Sequence, residues 1–120
     1  MRIYIAGKVT GLPTGDVFIK FGAAEHWLKQ IGYEVVNPTR LVSRNWSWQR
    51  CMRVCITELM KCDAICMLPD WIDSKGAQTE WALACHLGMR IINYRPKSMV
   101  VHDAGKVVDE DWKGGEYEGV

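Results

Sequence analysis

Hydrophobic and polar positions along the chain follow two alternating patterns. Four short apolar runs, Arg2 to Ala6, Tyr33 to Val36, Ala64 to Leu68 and Met89 to Tyr94, are each bounded on at least one side by Gly or Pro, and they read as strands. Between them, apolar residues recur at spacings of three and four, the mark of a helix with one buried face. Asp16 is a good N-cap for the first helix, which carries Val17, Phe21, Ala24, Leu28 and Ile31 and stops at Gly32. Trp48, Met52, Cys55 (or Ile56) and Leu59 outline the second, and the third runs from about Gly76 to Leu87 before Gly88. Ala64 to Leu68 is apolar without interruption, which suits a strand covered on both faces. The order β-α-β-α-β-α-β with right-handed crossovers predicts an α/β three-layer sandwich around a parallel, doubly wound sheet of four to five strands. One domain over residues 1–94 accounts for these elements. In residues 95–120, Met99 to Val101 and Lys106 to Val108 could each add an edge strand, ahead of an acidic, glycine-containing tail at Asp109-Glu110-Asp111 and Gly114-Gly115.

Composition narrows the class. The chain has 120 residues, enough for one core, with 48% apolar and 24% charged residues, as in ordinary globular domains. Fifteen Lys and Arg against 14 Asp and Glu give a formal charge of +1, which argues against a binder of duplex nucleic acid. No apolar run approaches the about 20 residues that span a bilayer, and the segment before Gly7 is too short for a secretion signal. A cytoplasmic protein without a membrane partner is the expectation. The five cysteines are odd in number and form no Cys-x-x-Cys pair. A reducing compartment predicts free thiols, and Cys51 and Cys55, one helical turn apart, read as small hydrophobes rather than as a metal pair. His26, His86 and His102 lack ligand spacing, so neither a metal nor another cofactor is expected.

In open parallel sheets ligands bind beyond the carboxyl ends of the strands, near the point where the winding reverses. That rule selects Gly7 to Gly15, Asn37 to Ser47, Pro69 to Gly76 and the turn after Tyr94. None carries a Gly-x-Gly-x-x-Gly or P-loop pattern. The most informative residue is Glu80. At about 100° per residue it falls within the arc formed by Ala77, Trp81, Ala84 and Leu87, so a carboxylate faces the sheet about one turn into a helix that begins at the ligand-binding edge. Such a group is either chemically active or paired with an Arg or Tyr. Ser74 precedes the same helix, where a hydroxyl, the close approach allowed at Gly76 and free helix amides favour an anion, and it also suits an N-cap. Trp46, Trp48 and Trp71 place aromatic faces on loops at this edge, fit to stack on a planar base or to cover the core.

Taken together, Tyr4-Ile5-Ala6-Gly7-Lys8-Val9-Thr10-Gly11, Gly32-Tyr33-Glu34-Val35-Val36-Asn37-Pro38, Cys62-Asp63-Ala64-Ile65, Leu68-Pro69-Asp70-Trp71 and Ser74-Lys75-Gly76-Ala77-Gln78-Thr79-Glu80 resemble the DUF4406 family. That family is itself similar to nucleoside 2-deoxyribosyltransferases and 2′-deoxynucleoside 5′-monophosphate N-glycosidases. The resemblance covers about residues 2–94 and implies a Rossmann-like fold and cleavage or exchange of the N-glycosidic bond of a nucleotide. In those terms Glu80 is the nucleophile that forms a glycosyl ester, with Tyr4 beside it. Gly7, Lys8, Thr10, Gly11, Asn37, Asp70, Trp71, Ser74 and Gly76 are the residues expected around the substrate. The Ser at position 74 leans the resemblance toward phosphorylated nucleosides, and hydrolysis is expected to outrun transfer. Lys8 stands where such chains commonly carry Pro, and Cys55 where relatives often carry an Asp that orients the base. The resemblance further implies a homodimer or higher homo-oligomer and no cofactor. The alternatives are a nucleotide-sensing module that binds without turnover, and a vestigial pocket in a protein whose acidic tail drives assembly.

Overall fold

A computed structural model describes residues 1–95. Four strands, β1 (Arg2–Ala6), β2 (Glu34–Val36), β3 (Ala64–Met67) and β4 (Arg90–Asn93), form one all-parallel sheet in the order β2-β1-β3-β4. Tyr4 lies opposite Val36 on one side and Ile65 on the other, and Cys66 opposite Ile92. Side chains alternate between the two faces along a strand, and both faces are covered, which explains why the two central strands are apolar from Ile3 to Ala6 and from Ala64 to Met67. Ile3, Ile5, Ala64, Cys66 and Leu68 pack beneath α1 (Thr14–Ile31), against Val17, Phe21, Ala24 and Leu28. Tyr4, Ala6, Ile65 and Met67 face the other way, toward Cys55 and Leu59 of α2 (Trp48–Leu59) and Ala77 and Ala84 of α3 (Lys75–His86). One helix on one face and two on the other make the three-layer α/β sandwich. The two edge strands proposed at Met99 to Val101 and Lys106 to Val108 lie outside the described residues. Among those residues no helix is long and apolar enough to cross a membrane.

The element ends differ from the sequence reading for local reasons. Helix α1 starts two residues before Asp16, because Pro13 already holds extended backbone and takes the N-cap position. Asp16 sits instead in the first turn, where a negative charge complements the free helix amides. At the other end Gly32 has φ +109°, and its amide donates to the carbonyls of Leu28 and Lys29. Ile31 and Leu87, each assigned to an apolar face, are exposed because both stand at the last turn of a helix, beyond the edge of the sheet. Ser47 caps α2 by accepting from the Arg50 amide, and Asp63 accepts from the Arg2 amide at 2.8 Å, at the amino end of the sheet.

The strand order fixes where a ligand can bind. From β1 the chain crosses to β2 on one side, and from β3 it crosses to β4 on the other, so the winding reverses between β1 and β3. The loops that leave these two strands diverge and open a cleft. They also touch. A Cβ added to Gly7 would lie 2.6 Å from Leu68 Cδ1 and 2.9 Å from Leu68 Cβ, so only glycine lets the first loop pass over the end of β3. Gly7→Ala is expected to cost about 1–3 kcal/mol through overpacking, read as a lowered urea midpoint with an unchanged m-value.

Candidate active site

Beyond β1, a cavity of about 500 Å³ is bounded by the Gly7–Gly11 segment, by residues 38–46, by the first two turns of α2 and by the start of α3. Tyr4, Gly7, Thr10, Gly11, Ser74, Gly76 and Glu80 all line it. Glu80 is 5% exposed, and its Oε2 accepts a 2.6 Å hydrogen bond from the Tyr4 hydroxyl. Position explains the pair. Tyr4 points from the third residue of β1, one of the two central strands, toward α3, and Glu80 looks back from the sheet-facing side of that helix. Burial pushes the carboxyl of Glu80 up to about 7, against the opposing pull of the Tyr4 hydrogen bond. Burial, with the Glu80 charge adding to it, holds the Tyr4 phenol well above its ordinary range, so it remains a proton donor.

Ser74 takes the N-cap role and also lines the cavity. Its Oγ accepts from the Ala77 amide at 3.1 Å and caps α3, while the hydroxyl proton stays available to donate into the cavity. Gly76 is pressed from the other side, since a Cβ there would lie 3.1 Å from Met52 Sδ. Cys55 is buried at the cavity wall beside Tyr4. Burial raises its thiol to about 11, the Tyr4 hydrogen bond opposes that and the Glu80 charge adds to it, so the thiol is neutral. Cys51 also lines the cavity.

Four expected substrate residues lie elsewhere. Lys8 borders a shallower recess next to the cavity, shared with Trp48, Ser74 and Lys75. Asp70 binds protein groups: Oδ1 accepts from the Lys8 amide at 3.1 Å and Oδ2 from Lys20 Nζ at 2.5 Å. Asn37 is buried and engaged at both ends, donating to Glu25 at 2.9 Å and accepting from the amide and hydroxyl of Thr39. Trp71 is half-buried, stacks on Trp81 with ring centroids 5.1 Å apart and packs against the core beneath α3. The aromatic side chains that do line the cavity, besides Tyr4, are Trp46 and Trp48, with Phe18 and Phe21 of α1. The Arg50 guanidinium sits 3.9 Å above the Trp46 ring and Lys75 Nζ 4.7 Å above the Trp48 ring, which brings two cations to the rim.

One important residue escaped the sequence reading. Glu25 of α1 is 5% exposed and gathers Lys29 (2.7 Å), Arg40 (2.8 Å) and Asn37. Burial would raise its carboxyl, but the hydrogen bonds from Lys29, Asn37 and Arg40 outweigh this and lower it to about 2. The network pins the turn Pro38–Arg40, which carries Pro38 and Thr39 into the cavity wall. The spacing could have found it, since Glu25 stands four residues after Phe21 and three before Leu28, beside the same apolar stripe.

The profile of DUF4406, described as a domain of unknown function, matches residues 1–93. The chain belongs to the DUF4406 family. No curated protein matches it. In this DUF4406 domain the buried carboxyls oppose each other with pH. Glu25, depressed to about 2 from 4.5, contributes stability that is present above 4.5 and lost as the pH falls through 2. Glu80, raised from 4.5 to about 7, binds a proton that the unfolded chain has already released, so its contribution falls as the pH rises between those values. Glu80→Gln is expected to remove that second slope and, at about pH 8, to leave the variant more stable by up to about 3 kcal/mol. Urea midpoints of both proteins across about pH 4 to 8 check this, and parallel curves would show a Glu80 carboxyl that titrates alike in the folded and unfolded chain.

Proposed function

We propose that this DUF4406 domain cleaves the N-glycosidic bond of a 2′-deoxynucleoside 5′-monophosphate, or exchanges its base, through a glycosyl ester on Glu80. The observation that carries the reading is the Glu80 carboxyl itself: buried, lining an open cavity at the reversal point of the sheet, and oriented through one oxygen by the Tyr4 hydroxyl. Only an ionised carboxylate can attack. One Glu80 oxygen bonds to C1′ of the sugar, the C1′–N bond breaks, and its electron pair leaves on the base, which takes up a proton. Water then adds at C1′, loses a proton and returns the carboxylate, with Tyr4 donating to the oxygen that regains charge. Ser74 and the first amides of α3 suit the phosphate and the Thr10–Gly11 segment the sugar-phosphate. Trp46 and Trp48, rather than Trp71, stand where a base can stack.

A second reading, a module that binds nucleotides without turnover, draws on the neutral thiol at Cys55. Among the described residues lining the cavity, Glu80 is the only carboxyl, which leaves no second one to protonate the departing base.

Incubation with each deoxynucleotide and excess free acceptor base, followed by separation of products, discriminates the readings. Hydrolysis yields mainly deoxyribose 5-phosphate, transfer yields mainly a new nucleotide, and nucleotide binding with no product supports the module. Under the enzymatic reading kcat/KM rises with pH through about 7 as Glu80 ionises. Glu80→Gln is expected to abolish base release with the fold retained, since an amide forms no ester, and wild-type turnover in that variant would exclude the nucleophile assignment. Ser74→Ala is expected to weaken monophosphates by about tenfold and nucleosides far less, measured as Kd for matched pairs.

A further inference from the structure

Lys20 and Asp70, which touch neither Glu80 nor Tyr4, meet over the start of the first loop. Lys20 Nζ donates to the Lys8 carbonyl at 2.6 Å and to Asp70 Oδ2 at 2.5 Å, while Asp70 Oδ1 accepts from the Lys8 amide at 3.1 Å. Both backbone groups of Lys8 are thus held by the two side chains of one ion pair. The three attachment points come from different parts of the chain: the loop after β1, the second turn of α1, and the loop after β3. Directly beneath, Gly7 rests on Leu68 with no room for a methyl group. The loop is therefore gripped by charge on one side and by packing on the other.

We infer that Lys20 and Asp70 are positioning residues, a clamp that sets the Gly7–Gly11 segment against the start of α3 and so fixes the distance between the two groups of ligand-binding atoms across the cavity. The inference rests on the reading of that cavity as a nucleotide site. Its geometry stands independently. Thr10 and Gly11 line one side and Ser74 and Gly76 the other, and the clamp spans the loops that carry them. The two side chains are 22% and 30% exposed, so solvent screens the pair and little of the global stability depends on it. Its effect falls on the loop, which has few other polar anchors: within it, the Leu12 amide donates to the Val9 carbonyl at 3.2 Å. The clamp also accounts for Asp70 without a ligand, because both of its oxygens are occupied by protein donors.

The test compares Asp70→Ala, Lys20→Met, the double variant, and the conservative Asp70→Asn and Lys20→Arg in the full chain. Hydrogen–deuterium exchange of the amides at residues 8–12 reads the loop directly and needs no activity. Exchange there is expected to rise about tenfold or more in Asp70→Ala and Lys20→Met, with melting temperatures close to wild type. The double variant should be no worse than the worse single one, as for groups acting as one unit. Lys20→Arg should retain most of the protection, and Asp70→Asn should fall between, keeping the acceptor for the Lys8 amide but losing the charge. Dissociation constants for deoxynucleoside monophosphates should weaken about tenfold in parallel with exchange. Unchanged exchange at 8–12 in both single variants, or strictly additive effects in the double one, would overturn the clamp. If the wild type binds no nucleotide, the functional reading fails while the exchange measurement still decides the clamp.

Discussion

A carboxylate held against a sheet by a single phenol is the interaction on which the site turns. Carrying a charge out of water is unfavourable unless strong partners surround it, and among the described residues Glu80 accepts a side-chain hydrogen bond from Tyr4 alone. Glu25 shows the contrast within the same molecule. It is equally buried, yet two cations and an amide hold it fully ionised at neutral pH. The first carboxyl is left near 7, poised between forms, and the second is pushed to about 2. A group kept in that poised condition lowers the stability of the folded state at alkaline pH. A core selected for stability alone would not retain it, whereas under the proposed mechanism a group that both attacks and leaves a carbon centre uses that poise.

The surrounding architecture serves this carboxyl. Central strand β1 supplies its phenol, α3 supplies the carboxyl and the helix amides that follow Ser74, and the reversal of winding between β1 and β3 opens space in front of both. The narrow places are tuned by absence of bulk. Glycine at 7 permits the first loop to lie on Leu68, and glycine at 76 keeps α3 close to Met52. The sheet's hydrophobic cores lie on either side, and the cavity sits at the carboxyl end of the strands, where apolar packing stops.

Much of this was legible in the sequence because it follows from periodicity. The order of strands and helices, the parallel sheet and the sheet-facing placement of Glu80 all arise from apolar spacing, and Ser74 announces itself as a cap. What stayed hidden depends on partners distant in the chain. Trp71 looked like a free aromatic at the ligand edge until Trp81, ten residues on, took its face. Asn37 and Asp70 looked like polar side chains awaiting a ligand, but Glu25, Thr39, Lys8 and Lys20 satisfy them first. Loop polarity alone does not tell whether a side chain serves the ligand or its own backbone. Glu25 is hidden for the same reason from the other side: its place beside the apolar stripe of α1 is visible, but its partners Asn37 and Arg40 stand 12 and 15 residues further on.

The stretch between β2 and α2 has an evolutionary consequence. It is fastened at its start by Asn37, Thr39 and Arg40 through Glu25, and at its end by Ser47 over the first turn of α2. Between these fixed points residues 41–46 form one wall of the cavity, including Trp46. Lengthening a loop whose ends are already anchored costs little, since closure entropy grows only with the logarithm of its length. Insertions and substitutions there can reshape that wall of the cavity while the carboxyl, its phenol and the sheet keep their places. Chains sharing this frame are thereby free to diverge in the shape of the cavity without re-inventing how its buried carboxyl is held.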